Sequence, residues 1–136
     1  MYRQQQVQYD VEQASPVRLV IMLFDKAVSL LRQSRLHIDR HDAKAKGEVL
    51  NRVLDILCEL QAILNREEGG VVAQNLDSLY DFMIQSVTLA NLQNDGQPLE
   101  GVLKILEELR EGWQELEQMQ HTENVAAVPS PLRTTG

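Results

Sequence analysis

His37 and His41, four residues apart with Asp39 and Asp42 beside them, have the strongest claim to chemistry in this chain. At that spacing two imidazoles share one helical face. A nearby carboxylate could complete a weak metal site or orient an imidazole that accepts a phosphoryl group. The pair falls where the apolar repeat of the first helix runs out, whereas a phosphotransfer histidine stands exposed in mid-helix. These two therefore read as solvated side chains at a frayed end. A di-iron bundle needs inward glutamates and Glu-x-x-His pairs, and the chain has no Glu-x-x-His. Cys58 is the single cysteine. It excludes an internal disulfide, has no base near it in sequence, and is expected to be a small buried hydrophobe. Ser15 precedes a proline and reads as a helix cap rather than a nucleophile. Gly69-Gly70 is too short to cradle a phosphate and reads as a helix terminator. No catalytic constellation remains, and neither a metal nor a cofactor is expected.

The elements that would position these residues are helices. The chain has 136 residues, 43% hydrophobic and 24% charged, with only 4% aromatic and four prolines, which favours one all-α domain over a sheet. A formal charge of −7 argues against gripping nucleic acid or anionic lipid, both of which need basic clusters. No apolar run approaches the roughly 18 residues of a membrane span, and the first residues lack a signal-peptide core. A soluble cytoplasmic protein without membrane insertion is the expectation.

Residues 1–14 are polar and glutamine-rich, with Tyr2, Val7, Tyr9 and Val11 at no sustained spacing, and read as a mobile arm. Ser15-Pro16 starts a helix that runs to about Arg40. Its inner line is expected to be Leu19, Leu23, Ala27, Leu30, Ser34 and Ile38, widened by Val20, Phe24, Val28 and Leu31. After a polar link, a second helix to about Asn65 repeats Leu50, Val53, Leu57, Leu60 and Leu64 at bundle spacing. Glu67-Glu68-Gly69-Gly70 should break it. A third helix spans about 71–93, and Asn94-Asp95-Gly96 with Pro98 marks the next turn. The fourth helix carries Leu99, Val102, Leu106, Leu109, Trp113 and Leu116 to about Gln120, and 121–136 reads as a disordered tail. Short links force antiparallel neighbours, so residues 15–120 are expected to form an antiparallel up-down-up-down four-helix bundle.

The third helix is greasier than one buried stripe requires. Leu76, Leu79, Met83, Val87 and Ala90 form one continuous face, Tyr80 and Ile84 widen it, and Phe82 with Leu89 lie on another. Together with the apolar run from Leu19 to Phe24, this surplus needs a cover. A thick core or a homodimer seam would supply one; a groove for an amphipathic helix of another protein is the alternative.

The motifs carry a resemblance. Ala14-Ser15-Pro16 followed by Leu19 and by Met22-Leu23-Phe24-Asp25 resembles the start of the flagellar secretion chaperone family, FliS. Asn75-Leu76, Leu79 to Met83, Ala90-Asn91 and Asn94-Asp95 resemble that family's third-helix signature, and Leu109-Arg110-Glu111 with Trp113 resemble its closing helix. Gln13, Phe24 and Lys26 depart from the usual threonine, tyrosine and glycine. The resemblance implies a cytoplasmic, non-enzymatic chaperone that binds the C-terminal segment of flagellin, prevents its early polymerisation and delivers it to the flagellar export gate. It also implies an arm whose Tyr2 and Val7 can occupy the flagellin groove when the chaperone is free. On this reading Val20, Phe24, Asp25, Leu76, Tyr80, Met83, Val87 and Asn91 are the partner-binding residues of the bundle. Two further readings stay open: a histidine phosphotransfer or signalling bundle using His37 or His41, and a structural bundle that self-associates, including as a homodimer when free.

Overall fold

The computed structural model describes residues 15–126, and the side chains of residues 15–123. Four helices follow one another: α1 (Pro16–Asp39), α2 (Ala43–Ala62), α3 (Arg66–Gln93) and α4 (Gln97–Ala126). Each start is capped as its sequence dictates. The Ser15 hydroxyl accepts the Arg18 amide at 3.1 Å, Asp42 accepts that of Ala45 at 3.1 Å, and Asn65 accepts that of Glu68 at 3.1 Å. At the far end of α3, Asn94 takes the left-handed conformation (φ 52°) that releases the chain from the helix, and Asp95 accepts the Gln97 amide at 3.0 Å to begin α4.

The links are short, so neighbours run antiparallel. Each helix packs on the next and α4 closes the ring against α1. The core along the axis is mostly aliphatic, with two aromatic rings: Ile21, Phe24, Val28 and Leu31 from α1; Leu50, Val53, Ile56, Leu57 and Leu60 from α2; Tyr80, Met83, Val87 and Ala90 from α3; Leu99, Val102 and Leu106 from α4. Among the described residues no helix is long and apolar enough to cross a membrane.

Several boundaries differ from the sequence reading. α4 runs past Gln120 to Ala126, because nothing between His121 and Ala126 forbids a helix even though the apolar repeat has stopped. The α2–α3 break lies at residues 63–65, not at Glu67-Gly70. The helix resumes at Arg66, where Asn65 caps it and Glu67 and Glu68 suit the positive end of its dipole. Gly70 then kinks it (φ 54°, ψ −129°). On α1 the expected inner line holds at Ala27, Leu30 and Ser34 but not in the first turns, where Leu19 is exposed and Leu23 half-buried while Ile21 and Phe24, with Val28 and Leu31 beyond them, fill the core. The expected mobile arm and most of the disordered tail lie outside the described residues.

Gly70 tests the kink directly. A Cβ there would meet nothing within 4 Å, so the only objection to alanine is the backbone conformation. Gly70→Ala should lower the urea midpoint by an amount equivalent to about 1–3 kcal/mol with an unchanged slope.

Candidate functional site

Polar contacts divide the bundle's four sides into two kinds. Along the α1–α4 side, arginine–carboxylate pairs form a ladder. As the α1 position falls from Arg35 to Asp25 to Arg18, the α4 partner rises in step from Glu100 to Arg110 to Glu117, and Arg32 with Glu107 adds a fourth rung. Hydrogen bonding to Arg18 holds the Glu117 carboxyl below its ordinary range. Exposed pairs of this sort contribute only about 0–1 kcal/mol each, so the ladder sets register more than stability. On the opposite side, Gln61 of α2 donates to Asp77 at 2.9 Å and Asp81 at 2.7 Å, and Arg66 reaches Asp77 at 2.8 Å. Lys46, buried in the first turn of α2, donates from Nζ to the Asn91 carbonyl at 3.0 Å, satisfying an end carbonyl of α3.

The other two sides are apolar. Among the described residues, no side-chain hydrogen bond crosses between α1 and α2 or between α3 and α4. Beside α1, Leu19, Met22 and Leu23, with Asp25, Lys26, Ser29 and Arg52, line an open groove of about 720 Å³. On α3, Met83 and Val87 point to the axis and Asp77 and Asp81 turn towards α2. At 100° per residue, Phe82 and Leu89 therefore fall on the flank towards α4. They stand 52% and 44% exposed. The matching flank of α4, turned away from its ion-pair ladder, carries Ile105, Leu109 and Leu116. Gly112 lies between the last two, where a Cβ would meet nothing within 4 Å. From Phe82 to Asn94 the chain has no charged residue. The α3 wall of this seam is thus uncharged, and α3 and α4 pack on each other less extensively than the other three neighbouring pairs.

The residues expected to bind a partner are divided by this geometry. Asp25 is exposed on the groove and is held by Arg110 at 3.2 Å; Val20, Leu76 and Asn91 are half-buried. Phe24, Met83 and Val87 are fully buried and Tyr80 is 3% exposed. The expectation that these four line an open furrow is corrected, because the best-aligned apolar face of each helix is the one the bundle consumes as core. The surplus is real but sits on the flanks, at Phe82, Leu89, Leu19 and Met22. Two sequence signals point to it: the uncharged run on α3 and the six consecutive apolar residues on α1. Tyr2 and Val7 lie outside the described residues.

Among the groups that could do chemistry, Cys58 is exposed, contrary to the buried position expected. It occupies the α2 turn position between Leu57 and Glu59 that faces away from the axis. His37 is half-buried at the end of α1 and His41 exposed in the turn, with φ 55°. Among the described residues no three His, Cys, Asp or Glu side chains are gathered to hold a metal.

Comparison with known proteins finds one family. The profile of the family described as Flagellar protein FliS matches residues 1–120. The chain is 42% identical over 116 residues to the flagellar secretion chaperone FliS of Salmonella typhimurium, covering 85% of this chain and 86% of that one. It is 36% identical over 127 residues to the FliS chaperone of Vibrio cholerae, covering 93% of each. It is also 34% identical over 112 residues to the chaperone FliSB of Pseudomonas aeruginosa, covering 82% of this chain and 89% of that one.

The core assignment of Met83 and Tyr80 predicts two outcomes. Met83→Glu should unfold the bundle, by placing a carboxylate where no water reaches, and circular dichroism should show the loss of helicity. Burial pushes the Tyr80 phenol from 10.0 up to about 12. The neutral ring therefore stabilises the fold below its unfolded pKa, and that contribution is lost as pH rises from about 10 through about 12. Tyr80→Phe should flatten the alkaline fall in stability seen in denaturant titrations.

Proposed function

This chain belongs to the FliS family of flagellar secretion chaperones, and from that premise we propose that it binds the C-terminal segment of flagellin in the cytoplasm. In doing so it keeps that segment from polymerising early and presents it to the flagellar export gate, without catalysis. The observation that carries the reading is the pair of apolar seams on sides that, among the described residues, no side-chain hydrogen bond or ion pair crosses. A disordered client segment that becomes amphipathic when helical has an apolar face to hide. Laid along a seam, it would cover Phe82, Leu89 and the α4 flank, or Leu19, Met22 and Leu23 beside α1, while its polar face stayed in water.

The energetics suit a carrier. Coupled folding and binding of this kind buries about 1,000–3,000 Å² and costs about 2–5 kcal/mol in ordering the client. Holding the client is then compatible with letting it go at the gate. The fully buried residues contribute indirectly: Phe24, Met83 and Val87 fix the spacing of the helices, and so the width of the seams. Residues 1–14 are proposed to compete with the client through Tyr2 and Val7.

Mixing the protein with the flagellin C-terminal segment should give a one-to-one complex in gel filtration, and the lack of any complex at micromolar concentration would exclude the reading. Phe82→Glu should leave helicity unchanged and weaken the complex by about 1–3 kcal/mol, measured by calorimetry. Tyr2→Ala should tighten it a few-fold; unchanged or weaker binding would reject competition by the arm.

A further inference from the structure

We infer that the α1–α2 groove selects a client stretch bearing carboxylates, with Lys26 and Arg52 as the residues that read them. The inference rests on the chaperone reading above and adds the chemistry of the client at one of its two seams. Leu19, Met22 and Leu23 give the groove an apolar lining, and the two cations stand beside it. Both are only loosely held from within the chain, unlike the arginines of the two polar sides. Arg18, Arg32, Arg35, Arg66 and Arg110 each engage a carboxylate across the bundle surface or within its turns. Lys26 forms no ion pair among the described residues, and no acidic residue stands three or four places from it on α1. The one carboxylate paired with Arg52 is Glu59, at 3.9 Å with both side chains about half exposed. Asp25, the acid that shares the groove, is turned to Arg110.

In a chain with a formal charge of −7, an unpaired Lys26 and an Arg52 with one long contact to Glu59 put positive charge beside an apolar groove. An amphipathic helix with an apolar face and flanking Asp or Glu complements that pattern. A neutral or basic helix would cover the same leucines and leave both cations unanswered. The α3–α4 seam makes no such demand, because its α3 wall is uncharged from Phe82 to Asn94. The two seams therefore differ in the client chemistry they accept, and charge sets which part of an extended client occupies which seam.

The test is titration calorimetry with the C-terminal segment of the source organism's flagellin. It compares the unaltered protein with Lys26→Gln, Lys26→Glu and Arg52→Gln, at low and at high salt. Lys26 and Arg52 are exposed, so the variants should melt with the unaltered protein. Neutralising either cation should weaken binding about two- to fivefold, and Lys26→Glu should weaken it about tenfold, with the differences shrinking at high salt. A client segment whose Asp and Glu are replaced by Asn and Gln should bind the unaltered protein and Lys26→Gln alike. Binding that ignores salt and all three substitutions would overturn the inference and leave the chaperone reading standing. No binding by the unaltered protein would overturn both. A dimer formed without flagellin and abolished by Lys26→Glu would assign the groove to a second copy, and would also overturn it.

Discussion

A helix in a ring of four can hide only part of its circumference, and that limit organises the whole molecule. The arc that faces the axis is filled by Phe24, Leu57, Met83, Leu106 and their neighbours, packed so that none is reached by water. Whatever apolar surface a helix carries beyond that arc must emerge on a flank. On two sides of the ring the flanks are polar and tie neighbouring helices together. On the other two they are apolar, and among the described residues no side-chain hydrogen bond crosses them. The alternation follows from which residue types stand about 100° to either side of the core line on each helix.

That arrangement separates two tasks that often conflict. Holding the fold is assigned to the axis, and alignment to the polar sides, where the Arg18–Glu117 and Gln61–Asp77 contacts fix how far one helix slides along another. The exposed apolar flanks are surface that the fold does not require. Exposed leucine and phenylalanine in a small chain are an aggregation hazard, and a formal charge of −7 opposes it by mutual repulsion.

The helices themselves were legible in the sequence because the signals were local: Ser15-Pro16, the three-four repeat of α2 and the Asn94-Asp95-Gly96 turn each act within a few residues. Rotation about the helix axis was less legible. Two adjacent stripes on α1 are almost equally apolar, and the choice between Leu19-Leu23 and Ile21-Phe24 is made by what α2 and α4 present, which no local pattern contains. The same ambiguity turned Tyr80 and Met83 from groove to core. On α3 the better guide was charge: inward faces of several helices are apolar, but an outward face without charge over thirteen residues is unusual in a chain that is 24% charged. Cys58 misled for a simpler reason, since a cysteine in a bundle helix is buried by habit and here its turn position points outward.

The break at Gly70 divides α3 unequally. Beyond it, Val71 to Gln93 form about six uninterrupted turns held at their far end by Lys46. Before it, Arg66 to Gly69 make a single turn whose hold on the rest is the Arg66–Asp77 pair. Unwinding that turn would lengthen the tether between α2 and α3 from three residues to eight without disturbing one ladder bond of the longer rod. Strain arriving at this end of the molecule thus meets a fuse, and the rod that carries Phe82 and Leu89 keeps its shape.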